Sequence, residues 1–318
     1  MSEESRAKER ARGAAGSGGA GGNIFERTAD FLIYSNLFIA LCALGYTLSA
    51  YVIFDMPLRL DGLAALSFGG TLALYLALRL HSARQLRGKE FTERLVWVDR
   101  NRSLSWVLFG TGVALAIKGL IDTPFEVWIA LAPAALFALL YGLPFLPLPP
   151  RYRLRHRNYL KIFLIAGVWA WMASVLPYVL YRQPTWSPGP THVMIPQAHA
   201  VWLFVSRFLF VVGITLPFDI RDIETDRVFH LSTVPMALGV PGSILLSRIL
   251  LFSSWVLLLP VLGAQPSFWL MGILVAFTIW TVGFSATTKN EYLYLGWLDG
   301  TMLLQLPVLL LGQYLVTG

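Results

Sequence analysis

The sequence predicts an all-α polytopic membrane bundle of about nine transmembrane helices, and three observations predict it. Of the 318 residues 56% are hydrophobic and only 14% charged, whereas soluble domains carry roughly a quarter charged residues. Mean hydropathy is +0.62. Apolar stretches of about 20 residues, enough to cross a bilayer, recur along the chain, and Lys and Arg concentrate in alternate connections between them.

In order, residues 1–29 (with RAKERARGAAGSGGAGG) lack an apolar face and read as a disordered basic tail without the cleavage pattern of a secretory signal. Residues 30–318 then form one transmembrane domain, with spans expected at 31–54, 62–83, 103–121, 125–146, 160–181, 197–219, 239–263, 267–286 and 294–316. The tail, the 84–102 connection, the 147–159 connection and then Arg221, Arg227 and Lys289 hold most of the cations. The opposite side holds only Arg59, Lys118 and Arg182. The positive-inside rule therefore predicts a cytoplasmic N-terminus and an outside C-terminus, in an inner (cytoplasmic) membrane of bacterial type. The net charge of +7 reflects this orientation and not nucleic-acid binding. The connection at 181–197, rich in proline, is expected to cap the outer face irregularly.

Several chemistries are excluded. The single cysteine, Cys42, permits neither an intrachain disulfide nor a cysteine metal site. The five histidines lack ligand spacing, and no Gly-rich phosphate loop, GxSxG or HExxH occurs.

One stretch concentrates carboxylates, LPFDIRDIETDRVFHLSTVPMALG at 216–239. Asp219, Asp222 and Asp226 are spaced i, i+3, i+7, which in a continuous helix leaves them within roughly 60° of one another on one face. Glu224 falls on another face. Three crowded carboxylates resist ionising unless a cation sits among them, and Mg²⁺, a hard ion completed by waters and phosphate oxygens, suits such ligands. Arg207 lies about 18 Å deeper along the same span, where an arginine either faces a cavity or pairs structurally within the bundle. Asn36 and Asp299 are likewise intramembrane polar groups that line a cavity or tie helices. Trp169, Trp171, Phe204, Phe208 and Trp297 suit the wall of an apolar cavity or ordinary packing.

The segment FDIRDIETDR, followed by TVPMALG, resembles the second Asp-rich motif of the UbiA superfamily of intramembrane prenyltransferases. The nine spans, the acidic segment after the sixth and the basic one after the fourth also fit that family. The resemblance implies a helical bundle around a central cavity open to the membrane. There, Mg²⁺ on Asp-rich loops binds an isoprenyl diphosphate, whose prenyl chain passes to a lipophilic acceptor, often an aromatic ring. It implies metal and catalytic roles for Asp219, Asp222 and Asp226, and diphosphate contacts for Arg227. Tyr141 and the run RLRHRNYLK resemble the family's Tyr and basic segment, which places Arg157 and Lys161 at the substrate. Asn36 matches a polar position often found on the first helix. The family's first Asp-rich motif would fall at 77–87, yet ALRLHSARQLR there contains no carboxylate. Arg79, His81 and Arg84 instead offer direct cationic contacts to the diphosphate. Glu90 and Glu93 nearby read as part of a solvated connection. A repurposed protein of the same fold, binding an isoprenoid or polar lipid without transferring it, is the alternative.

Overall fold

The computed structural model describes residues 24–85, 93–142, 160–183, 195–228 and 233–317, and among them all regular structure is helical. The helices are α1 (Ile24–Tyr34), α2 (Leu37–Ile53), α3 (Gly62–Gln85), α4 (Glu93–Arg100), α5 (Arg102–Asp122) and α6 (Phe125–Gly142). They continue with α7 (Leu160–Tyr181), α8 (Gln197–Arg221), α9 (Ile223–Val228), α10 (Val234–Leu262), α11 (Pro266–Ala286) and α12 (Tyr292–Val316). Seven of these are long and apolar enough to cross a membrane, and α1 with α2 make an eighth if counted as one bent span. The expected fourth span corresponds to α6, whose described apolar stretch, Phe125–Phe137, is shorter.

The first expected span is not straight. Asn36 takes a left-handed conformation (φ 62°, ψ 11°) between α1 and α2, which meet at 74°. Asparagine is among the few residues that visit this region readily, because its short amide bonds locally. The bend sets α1 against α4 through Phe31 and Trp97, whose rings lie 6.1 Å apart edge to face. Tyr34 donates to Glu93 at 3.0 Å. Helix α1 therefore starts at Ile24, inside the segment expected to be tail, because packing supplies what its polarity does not.

Without a hydrophobic drive between helices in lipid, close packing and buried hydrogen bonds hold the bundle. Helices α3 and α5 touch backbone to backbone at Gly119, where a Cβ would stand 2.5 Å from the Gly62 carbonyl oxygen, so only glycine fits. Between α8 and α10, Ser247 donates to the Gly213 carbonyl at 2.6 Å and Ser206 to the Ser254 carbonyl at 2.6 Å. In α7, a π-helical turn at Trp171–Val175 interrupts the ladder. One consequence lies across the bundle: Arg207, 2% exposed, donates to the Ala173 carbonyl in that turn, to the Tyr46 carbonyl at 2.9 Å and to the Ser49 hydroxyl. Its guanidinium also sits 4.4 Å from the Tyr46 ring centroid. These contacts tie α2, α7 and α8 together, while Nε is left without a partner and the side chain also lines a small cavity.

The start of α3 is fixed by Asp61, whose carboxylate accepts the Ala64 amide at 2.9 Å and the Tyr51 hydroxyl at 2.8 Å. Burial raises the Asp61 pKa above the usual carboxylate range, although these hydrogen bonds oppose the shift. A carboxyl whose pKa is raised by folding holds its proton more tightly in the native state. Its contribution to stability therefore falls as pH rises through the window from the unfolded to the folded pKa. Asp61→Ala is expected to cost about 1–2 kcal/mol through loss of the cap. Asp61→Asn should keep most of the cap and flatten stability against pH in that window, both read by thermal unfolding in detergent.

Candidate functional site

Helix α8 carries the acidic stretch to the end of the bundle where the polar side chains gather. Pro217 removes one amide from its last turns. The helix ends at Arg221, and Asp222 (φ −91°, ψ 5°) forms its C-cap before α9 begins at Ile223. Asp219 is thus in the last turn of α8, Asp222 at the break and Asp226 on a second short helix. The continuous helix expected across the three aspartates is interrupted at Asp222, although the amides of Asp222 and Asp226 still bond four residues back, to Phe218 and Asp222.

The consequence is a division of partners. Asp219 is 2% exposed and pairs with Lys161, from the first turn of α7, at 3.3 Å. Asp222 is held at 2.8 and 3.2 Å by two nitrogens of its neighbour Arg221, a bidentate grip. Asp226 is buried, and its Oδ2 has no hydrogen-bond partner. Among the described residues no three His, Cys, Asp or Glu side chains converge as a metal cluster. The three aspartates nevertheless feel one another. Burial, chiefly, raises the Asp226 pKa; Lys161 opposes this, while the charges of Asp219 and Asp222 add to it. The donor chemistry, though not a converged cluster, is of the kind a hard cation takes: carboxylate oxygens, one of them on Asp226 without a partner, with the Lys161 ammonium on Asp219.

Arg227 is exposed and lies within electrostatic reach of Glu224, on the side of α9 where Lys289 pairs with Glu224 at 2.8 Å. Glu224 is fully exposed, and its bond to Lys289 holds its pKa below the usual range. Arg157, and the side chains of Tyr141 and Arg84, lie outside the described residues, as does Glu90. Glu93, expected in a solvated connection, instead opens α4 and accepts from Tyr34.

Arg221, which pairs with Asp222, lies within electrostatic reach of Arg79, which in turn reaches Arg94, and together they make a cationic wall that sequence reasoning captured only in Arg79. Arg94, on α4, is buried and bonds Glu291 at 3.1 Å. The Arg221 guanidinium lies 4.9 Å from the Tyr294 ring centroid and 5.3 Å from that of Phe218. Its Nη1 is buried without an acceptor. The π-helical opening of α12, Tyr292–Leu298, carries Tyr294 to this position, where its hydroxyl donates to the Thr288 carbonyl at 2.8 Å. Arg79 and Arg94 line a small cavity of about 30 Å³ together with Asn36, Tyr75 and Asp299, among apolar side chains such as Phe38 and Ile39. Tyr75 also lines a larger, mostly apolar chamber of about 180 Å³ between α2, α3, α6 and α7, walled by Tyr46, Leu131, Trp169 and Met172. Tyr75 is thus common to the walls of the charged cavity, the mouth of the site, and of the apolar chamber. Asn36 and Arg79, both singled out from sequence, meet at that mouth.

No family profile and no curated protein matches the chain. Solved structures do. A UbiA homolog from Archaeoglobus fulgidus bound to GPP and Mg²⁺ is similar at a TM-score of 0.56 and 12% identity, over 89% of this chain and 98% of that one. The apo structure of a UbiA homolog from Aeropyrum pernix K1 gives 0.55 and 14%, over 88% and 98%. A digeranylgeranylglyceryl phosphate synthase gives 0.51 and 14%, over 90% and 97%. The chain therefore has the fold of the UbiA homologs along nearly its whole described length.

Proposed function

We propose that this chain transfers an isoprenyl group from its diphosphate to a lipophilic acceptor in the membrane, with Asp219, Asp222 and Asp226 holding Mg²⁺. The observation that carries the reading is the unpartnered Asp226 oxygen beside two further aspartates, in a fold shared with a homolog bound to GPP and Mg²⁺. When bound, Mg²⁺ supplies charge neutralisation for the leaving diphosphate.

The chain's own residues account for the rest. Lys161 and Arg221 present cations at the mouth, where negative charge develops on the leaving group. The apolar chamber takes the isoprenoid tail and keeps water from the allylic centre. The rings of Tyr46, Tyr75 and Trp169 border that space and stabilise positive charge at C1 through their π faces. The C1–O bond breaks with its electron pair leaving on the diphosphate, and the acceptor bonds to C1 and gives up a proton. With the basic segments facing the cytoplasm, the diphosphate enters from that side.

A second reading, isoprenoid binding without transfer, is favoured by one observation: the part of α3 where a second acidic cluster would stand carries Arg79 and His81 and no carboxylate. Purified protein incubated with geranyl diphosphate, Mg²⁺ and a mixture of aromatic and lipid acceptors should release pyrophosphate. Tight binding with no release under any acceptor mixture would establish the second reading in its place.

A further inference from the structure

We infer that Arg79, Arg94 and Arg221 form an anion-binding half-site for the diphosphate that works without a metal ion. The inference rests on the reading of the mouth as an isoprenyl diphosphate site and specifies how the second wall meets the ligand.

Three features of the wall lead to it. Arg79 is in mutual electrostatic reach of both Arg94 and Arg221, so three guanidinium groups share one small region. Carboxylates stand nearby: Arg94 bonds Glu291, Arg221 bonds Asp222, and Glu291 also lies within electrostatic reach of Arg79 and Arg221, but among the described residues none stands within ion-pairing distance of Arg79. Arg221 in addition keeps one buried nitrogen, Nη1, without an acceptor. Like charges gathered in a poorly solvated space, with donors left over, are stabilised by a polyanion that takes several of them at once.

The shape selects among polyanions. Arg79 and Arg94 line the small cavity with Asn36 and Asp299, and Tyr75 is shared between that cavity and the apolar chamber. A compact anionic head attached to an apolar chain suits a ligand that reaches both, and an isoprenyl diphosphate has that form. Asp299 lines the cavity as well, so the head group meets one carboxylate and a set of guanidiniums. A guanidinium offers a fork of donors suited to two phosphate oxygens, which a single point charge does not.

The test is binding of geranyl diphosphate and of inorganic pyrophosphate to the purified full chain in detergent, by calorimetry, once with excess EDTA and once with Mg²⁺. The wild-type protein should bind geranyl diphosphate in EDTA, and Arg79→Gln should weaken that binding by about tenfold or more, the loss expected for one charge-assisted contact. Arg79→Lys, which keeps the charge and loses the fork, should fall between the two and guards against misfolding of the glutamine variant. Equal affinity of wild type and both variants in EDTA would overturn the inference. Binding seen only with Mg²⁺ would also overturn it, while leaving the proposed transferase reading in place. Absence of diphosphate binding under both conditions would overturn both.

Discussion

Replacing Asp219 with asparagine is expected to lower pyrophosphate release by about a hundredfold or more, the scale of losing one preorganised charge at a leaving group. The side chain is 3% exposed and sits in the last turn of α8, so asparagine fills the same volume. What it removes is charge. The Lys161 ammonium, 3.3 Å away, loses its carboxylate partner, and the set of oxygens facing a divalent cation becomes weaker. The matched control is Glu224→Gln, two residues beyond the break at Asp222 but exposed and paired with Lys289. That change should leave the rate within about twofold, as expected for a solvent-screened pair. Comparing kcat/KM for the two variants, with unfolding temperatures as a check on folding, decides the matter. Wild-type release by Asp219→Asn would remove the aspartates from the chemistry.

The second large effect is on stability. Arg207→Ala removes the donors that satisfy the carbonyls of Tyr46 and Ala173 and the hydroxyl of Ser49, all inside the bundle. At about 1 kcal/mol for each buried partner left unsatisfied, the loss should be about 3 kcal/mol. A lowered unfolding temperature with unchanged diphosphate affinity in the folded fraction is the signature of a tie between helices. The reverse pattern, lost affinity at unchanged stability, would mean that the guanidinium reaches a ligand. Lysine at this position should recover only part of the stability, since one ammonium cannot span the same acceptors from a single planar group.

How much of this was legible beforehand differs from residue to residue. The helical bundle was, because a long apolar run with charged ends has one stable solution in lipid. Asp219, Asp222 and Asp226 were conspicuous as carboxylates in an apolar chain, and Asn36 and Arg79 as polar groups inside spans. The cationic wall was not. Arg94 and its partner Glu291 are 197 residues apart in the chain, and Arg94 looked like one of several cations in a basic connection. Arg221 drew notice only for its contribution to orientation, although its neighbour Asp222 and the ring of Tyr294 give it a fixed place at the mouth. Spacing predicted one face for the aspartates because it assumes an unbroken helix. The C-cap at Asp222 is a tertiary choice, made where Arg221 finds both a carboxylate and two rings. The break at Ser35 and Asn36 has no proline or glycine to announce it.

That break has a consequence for how the chain meets a bilayer. Helix α2 has 17 residues, which at 1.5 Å each spans about 25 Å, slightly less than a hydrocarbon thickness of about 30 Å. Continued straight through α1, the same rod would overhang the core by many ångströms and carry Glu26, Arg27 and Asp30 away from the rest of the molecule. Turned by 74°, the surplus length runs across the end of the bundle, with Asp30 bonded by Tyr292 and Tyr34 by its own hydroxyl to Glu93. A single asparagine thereby converts a hydrophobic mismatch into a belt around the charged mouth. A β-branched residue there would restore the overhang, and with it pull the belt off the rim.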